Sequence, residues 1–308
     1  MINPTLVLVQ TLNGLQFGMM LFLFAAGLTL VLGIMNLVNL AHGSLYMLGA
    51  YFAATVEQWT GSFLLSLLIA LPVTFVAGVV IELAVLRTLY IRDHLDQVLA
   101  TFGVILFLNE AVRIVWGATP LYMSAPAFLS GNVALASGIN YPLYRLSLIL
   151  LGLVVAFLLY LLVAKTKLGM LIRAGAANRE MVEVLGVDIR LLFTAVFGLG
   201  AVLAAVAGIM LGPILSVESG MGDGVLILAL VVIVIGGIGS IRGSFVAAIV
   251  VGLVDTVGRA FLPGFLATIM PHTIASAVGP ALASMLIYIV MAVVLFFRPQ
   301  GLFPARGG

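Results

Sequence analysis

The chain has 308 residues, of which 64% are hydrophobic and 8% charged, whereas soluble domains carry about 25% charged residues. So little charge cannot solvate a globule of this length, so a soluble enzyme is excluded. The absence of cysteine excludes disulfides, thiol chemistry and Cys-ligated metals, and the net charge of +2 gives no reason to expect a nucleic-acid partner.

The mean hydropathy is +1.32, and apolar runs recur that are long enough to cross a bilayer, which takes about 20 helical residues. The pattern predicts nine segments: about 8–34, 42–57, 61–86, 97–116, 144–164, 192–215, 224–240, 243–262 and 281–297. The fold class expected is an all-α polytopic bundle forming a single domain over 1–308. The N-terminal MINPTLVLVQ lacks the basic n-region of a signal peptide, so the first segment is expected to stay as a span. The second and seventh segments are short, a feature that often marks a transport pathway.

Between the first two segments lie Asn36, Asn39, His42 and Ser44. Polar groups at membrane depth are costly unless paired or facing water. Asn36 and Asn39 are three apart and would share a helix face. Two readings stand at even weight: they line a substrate pathway, or they cap the break. Further on, Glu82 lies about a turn inside the inner boundary and is expected to snorkel toward Arg87 or water. Glu110 with Arg113, and Asp255 with Arg259, have the spacing of structural ion pairs on helices. The loop 117–143 has no Lys, Arg, Asp or Glu. It reads as an external surface segment, with Trp116, Tyr122, Tyr141 and Tyr144 as interfacial anchors.

The segment 165–190, KTKLGMLIRAGAANREMVEVLGVDIR, is the long charged stretch of the chain. Its composition predicts short helices over Met170–Ala177 and Asn178–Leu185, ended by Gly186. Arg173, Asn178, Arg179, Glu180, Glu183 and Gly186 are candidates for contact with a soluble partner; the bland alternative is a loop that only sets topology. In 211–224, Glu218 and Asp223 sit beside glycines, as a gate or as solvated turn residues, the latter favoured. The run VIGGIGSIRGS (234–244) lacks the Lys-Ser/Thr ending of a phosphate loop and does not fit G-x-G-x-x-G; its glycines suit close helix approach. No His or carboxylate spacing suggests a metal. The region 263–280 contains three prolines and is expected to bear a short external or re-entrant helix.

Ten of the thirteen Lys and Arg residues fall in alternate loops: Arg87, Arg92, Lys165, Lys167, Arg173, Arg179, Arg190, Arg242, Arg298 and Arg306. The positive-inside rule then puts the C-terminus in the cytoplasm, and nine spans put the N-terminus outside. Gly33-Ile34-Met35 and Gly208-Ile209-Met210 each precede a polar stretch and a short segment. This echo suggests an inverted-topology repeat, preferred to a rival echo of His42-Gly43-Ser44 with Arg242-Gly243-Ser244.

Four stretches together carry a family resemblance: GLTLVLGIMNLVNLAHGSLYMLGAY, LGMLIRAGAANREMVEVLGVDIRLL, GGIGSIRGSFVAAIVVG and FRPQGLF. They span nearly the whole chain and resemble the membrane permease subunits of bacterial ABC importers for branched-chain amino acids. The length and the NLAHGS motif are similar to the smaller of the two permease types. The resemblance implies a pairing with a second permease, two cytoplasmic ATPases that hold ATP and Mg, so that this chain needs no cofactor, and a periplasmic amino-acid-binding protein. It also implies a coupling helix within about Arg173–Arg190, where Met181-Val182-Glu183 replace the usual alanines. The implied fold is similar to that of the cobalamin importer, less one N-terminal helix, with the path at the subunit interface, in the inner membrane. Relatives carry other amino acids, amides or urea. The alternative function is an ion-gradient-driven transporter of a small polar solute, which would need protonatable or ion-coordinating groups at the midplane.

Overall fold

The computed structural model of the chain describes residues 4–136 and 139–303; Arg306, counted among the ten basic residues, lies outside them. In chain order the helices are α1 (Pro4–Met35), α2 (His42–Thr60), α3 (Phe63–Ile81, continued by a π-turn, Glu82–Leu86), α4 (Arg87–Leu89), α5 (His94–Trp116), α6 (Leu143–Lys165), α7 (Lys167–Ala177), α8 (Arg179–Val184), α9 (Ile189–Leu211), α10 (Met221–Gly236), α11 (Ile241–Leu266) and α12 (His272–Phe297).

Each of the nine apolar segments coincides with a helix. Seven of these helices are long and apolar enough to cross a membrane; α2 and α10 are not among them. At 16 residues α10 spans roughly 24 Å, short of a hydrocarbon core of about 30 Å. The 19 residues of α2 include His42, Ser44, Tyr46, Glu57 and Gln58, which lower its hydropathy. Among the described residues, seven of the nine expected segments thus form helices of spanning length and hydropathy.

A helix that is apolar all round belongs in a core, and α1 is one: Gly18 to Val31 are all buried. It packs on α6, α9, α10 and α11. Small residues let the backbones touch: a Cβ at Gly18 would stand 2.8 Å from the Ala248 carbonyl oxygen of α11, and one at Gly252 would stand 2.5 Å from the Gly18 nitrogen. In contrast α5 and α12 bury a narrow stripe and leave Leu106, Phe107, Tyr288 and Phe296 exposed. Such an apolar exterior suits lipid, not water.

The packing has an internal symmetry. Exchanging α1 with α9, α2 with α10 and α3 with α11 maps the pair α1–α11 onto α9–α3, α1–α10 onto α9–α2, and α2–α3 onto α10–α11; all six pairs are in contact. Ile34 and Leu192 flank Gly175, while Gly27 lies against Gly200. Residue numbers therefore rise along α9 as they fall along α1, so the two helices run in opposite directions.

Two regions differ from expectation. Loop 117–143 contains a 3-10 turn (Ala127–Leu129) and an antiparallel hairpin of β1 (Asn132–Ala136) with β2 (Ile139–Pro142). Tyr141 and Tyr144 are not surface anchors but buried. The Tyr141 hydroxyl donates to Asn13 Oδ1 at 3.0 Å, and the Tyr144 hydroxyl to the Met210 carbonyl at 2.7 Å. Trp116 also turns inward, donating to Thr55 Oγ1 at 2.7 Å; Tyr122 alone of the four stays largely exposed. Residues 263–280 form no separate helix: α11 runs through Pro263 to Leu266, and α12 starts at His272 and passes through Pro280.

Candidate transport path and coupling surface

The first break starts where α1 ends. Asn36 takes φ +50°, a left-handed conformation that Asn tolerates better than most residues. Residues 36–41 leave the helix, so the three-residue spacing of Asn36 and Asn39 no longer sets a shared face: Asn36 is exposed and Asn39 buried. The returning strand is fixed by Gln97 of α5, whose Oε1 accepts from the Val38 N–H at 3.2 Å while its Nε2 donates to the Leu89 and Arg92 carbonyls. Sequence reading passed over Gln97; its only signal is an amide in the first turn of an apolar helix.

Asn39, His42 and Ser44 are buried in the middle of the subunit. His42 stacks edge-on against Phe24 with ring centroids 4.8 Å apart, and its Nε2 lies 3.2 Å from the Phe24 carbonyl. The carbonyl can only accept, so Nε2 carries the proton and Nδ1 offers a lone pair. That Nδ1, both amide atoms of Asn39, the Ser44 hydroxyl and the Tyr46 hydroxyl have no hydrogen-bond partner among the described residues. Orphaned buried polar groups are costly, and at membrane depth they mark function more often than packing.

The second break follows α9, over residues 212–220. Val217 pairs with Leu121 through two backbone bonds of 2.9 Å, and the Ser219 hydroxyl donates to the Asn109 carbonyl near the end of α5. Glu218 and Asp223 are exposed there, Asp223 in the first turn of α10, where a negative charge is favourable. Helix α5 serves as a ruler: Asn36 lies by its first turn, and Ser219 by Asn109 in its second half. The structure therefore does not gather the six pathway candidates into one site. It leaves Asn36 exposed and Asn39, His42 and Ser44 buried, with Glu218 and Asp223 exposed on the second break, where Asp223 follows the Gly222 that touches Gly43. The breaks meet at Gly43 and Gly222, whose backbones touch; a Cβ on Gly222 would fall 2.0 Å from the Gly43 carbonyl oxygen.

The charged segment folds as α7 and α8, within a few residues of expectation. Thr166 caps α7 by accepting from Gly169, and Asn178 caps α8 by accepting from Met181 at 2.9 Å. Gly186 follows α8 at φ +85°. Of the apolar α8 residues only Val182 turns inward; Met181, Val184 and Leu185 are exposed beside Arg179, Glu180 and Glu183. Arg173 is tied back to the Val163 carbonyl of α6. Arg179 and Asn36, far apart in sequence, line one cleft of about 250 Å³ with Tyr90, Arg92, His94 and Gln97.

Sequence reading also missed most of a buried carboxylate site. Glu82 is not snorkelling to water: it is fully buried. It accepts from Arg87 Nε and Nη2 at 3.3 Å each, from the Tyr90 hydroxyl at 2.5 Å and from the Thr194 hydroxyl of α9 at 2.9 Å. Residues five apart diverge by about 140° around an α-helix; the π-turn, with its i→i+5 bond from Arg87 N–H to the Glu82 carbonyl, brings the pair together. The Glu110–Arg113 and Asp255–Arg259 pairs do form, at 3.0 and 2.8 Å. The tail is a further omission: the Leu302 and Phe303 N–H groups donate to the Ile235 and Gly236 carbonyls at 2.8 and 3.0 Å, so FRPQGLF caps the end of α10.

Residues 10–295 match the family model for the permease component of branched-chain amino acid transport systems. The chain belongs to this family. It is 28% identical over 307 residues to a protein of Pseudomonas aeruginosa, the high-affinity branched-chain amino acid transport system permease protein BraD, covering 95% of this chain and 94% of that one. Similarity to the LivH permease protein of Escherichia coli K12 is 27% over 273 residues, covering 82% and 86%. A probable LivH of Methanocaldococcus jannaschii is 28% identical over 265 residues, covering 80% and 81%. No solved structure matches at a significant level. The chain is thus a multi-pass membrane transport subunit, not an enzyme in its own right.

Proposed function

We propose that this chain is the transmembrane permease subunit of an ATP-binding-cassette importer that moves branched-chain or related amino acids across the inner membrane. It works by alternating access, in a heterodimer with a second permease. Two cytoplasmic ATPases bind the ATP and Mg, and a periplasmic binding protein delivers the amino acid. The C-terminus and α7–α8 lie on the cytoplasmic side, in keeping with the distribution of Lys and Arg.

The observation that carries this reading is α8. It offers an apolar edge of Met181, Val184 and Leu185, all more than half exposed, flanked by Arg179, Glu180 and Glu183. A short amphipathic helix of this kind buries its apolar side in a partner's groove while its charges fix register. Asn178 and Gly186 set its two ends. The ion-gradient alternative has less to work with, since the buried carboxylates Glu82 and Asp255 are both paired with arginines.

The test is Glu183→Lys, with deletion of 178–186 as the severe form. A charge reversed at a buried contact costs on the order of a few kcal/mol. Transport and substrate-stimulated ATP hydrolysis are expected to fall together, with weaker co-purification of the ATPase, while the permease still inserts. Wild-type activity in both variants refutes the coupling role. A reporter active only outside the cytoplasm, fused after Gly308, is expected to be silent.

A further inference from the structure

The connection from α8 to α9 has no slack. Gly186 N–H donates to the Glu183 carbonyl at 2.9 Å and Val187 N–H to the Val182 carbonyl at 3.3 Å. Asp188 Oδ1 then accepts from both Arg190 and Leu191 N–H groups, capping α9. A displacement of α8 is therefore passed to the first turn of α9 instead of being absorbed between them. Thr194 stands in the next turn.

The Thr194 hydroxyl has one proton and two acceptors within reach: Glu82 Oε2 at 2.9 Å and the Arg190 carbonyl at 3.0 Å. Meanwhile Arg87 Nη2 donates to the same hydroxyl oxygen at 3.0 Å. A hydroxyl has a single donor, so it serves the π-turn below α3 or its own helix, not both. With the proton directed at Glu82, α9 is bonded to the π-turn that continues α3. With the proton directed at the Arg190 carbonyl, α9 closes on itself and Glu82 keeps Arg87 and Tyr90, while Arg87 still donates to the Thr194 oxygen. These are two discrete arrangements separated by rotation of the hydroxyl proton about one oxygen position. A bistable element is what a physical coupling claim requires. Beyond this point α3 and α9 are packed too closely to slip: a Cβ at Gly198 would stand 2.3 Å from the Phe75 ring, and one at Gly78 would stand 2.7 Å from Ala201. Helix α3 also packs on α2, which carries His42 and Ser44.

We propose that Thr194 is a positioning residue for energy coupling, its hydroxyl switching between Glu82 and the Arg190 carbonyl and so tightening or loosening the hold of α9 on the π-turn below α3 as α8 moves. The proposal rests on the importer reading above. It assigns Glu82 a role as a fixed acceptor in that switch; it does not make Glu82 a proton carrier.

The test uses the assembled importer in lipid vesicles, measuring amino acid transported per ATP hydrolysed. Thr194→Val keeps the shape and removes the hydroxyl. The ratio is expected to fall about tenfold, the size of one charge-assisted hydrogen bond, with basal ATP hydrolysis retained. Thr194→Ser, which keeps the hydroxyl, is expected to restore the ratio to near the wild-type value. Glu82→Gln, which keeps the volume, is expected to lower the ratio as Thr194→Val does and serves if the valine variant does not assemble. A wild-type ratio in either assembled variant, or failure of Thr194→Ser to restore it, overturns the proposal. Failure of the importer reading shows differently: the wild-type vesicles would then transport without ATP.

Discussion

The closest approach between the two breaks makes a sharp test of the architecture, because α10 carries a matched control two residues away. Gly222 is buried against Gly43. Alanine at 222 would place Cβ 2.0 Å from the Gly43 carbonyl oxygen and 2.5 Å from its carbon, where carbon contacts normally lie at about 3.5–4.0 Å. The obstacle is backbone on both sides, so no side chain can swing away. Overpacking of this kind costs about 1–3 kcal/mol and at times more. Alanine at Gly224, with nothing within 4 Å, meets no clash. There the substitution in a helix instead stabilises by about 0.5–1 kcal/mol. That gain applies at both positions, so the two variants should differ by the clash, about 1–3 kcal/mol. At about 2 °C per kcal/mol for a large domain, that is a gap of roughly 2 °C or more in Tm. The assay is thermal unfolding of the purified permease in detergent, with ATP-driven uptake measured alongside. Gly222→Ala should melt low and transport poorly, whereas Gly224→Ala should match or exceed wild type. Equal Tm values for the two would refute the close packing of α2 on α10. A low Tm with full transport would show that the contact supports the fold and plays no part in gating.

Two other outcomes follow from the break residues and the tail. The chain has no native cysteine, so single cysteines report cleanly: Asn36→Cys should react with a small water-soluble thiol reagent in the resting state. Asn39→Cys and His42→Cys should be protected there and become reactive only when nucleotide changes the conformation, if these residues line the path; protection in every state assigns them to packing. Leu302→Pro removes the N–H that bonds the Ile235 carbonyl and should free the tail, seen as faster cleavage within residues 299–303 by a protease of broad specificity; cleavage at the wild-type rate would show that this cap does not hold the segment.

How much of this was legible in the sequence depends on the range of the interaction that fixes each feature. The long helices follow from local hydropathy, and α7 and α8 follow from local chemistry: Thr166 and Asn178 start them, and Gly186 ends the second. The break residues were legible as polar groups in an apolar chain, but their arrangement was not. Spacing arguments assume a helix, and the chain leaves the helix at Asn36, which sends Asn36 outward and Asn39 inward. Tyr141 and Tyr144 show the same limit. An aromatic residue at the edge of an apolar run reads as an interface anchor until its hydroxyl partner is known, and Asn13 and Met210 lie 128 and 66 residues away.

Glu82 joins both kinds of failure. Arg87 was named as its partner on charge alone, yet five-residue spacing in an α-helix points the two apart, and only the π-turn reconciles them. Thr194, 112 residues distant, carries no mark in sequence that separates it from other threonines at the start of a helix. What the structure adds is a reason for the irregular turn. An ordinary α-helical turn would leave a carboxylate in an apolar core with its nearest arginine on another face, an arrangement that desolvation makes costly. The widened turn pairs the two charges. It also holds the carboxylate at the α3–α9 contact, one turn into the helix that receives α8. The strain-relieving geometry and the proposed switch are thus the same local structure, which is why Thr194→Val and Glu82→Gln are expected to act on one ratio and not on two independent functions.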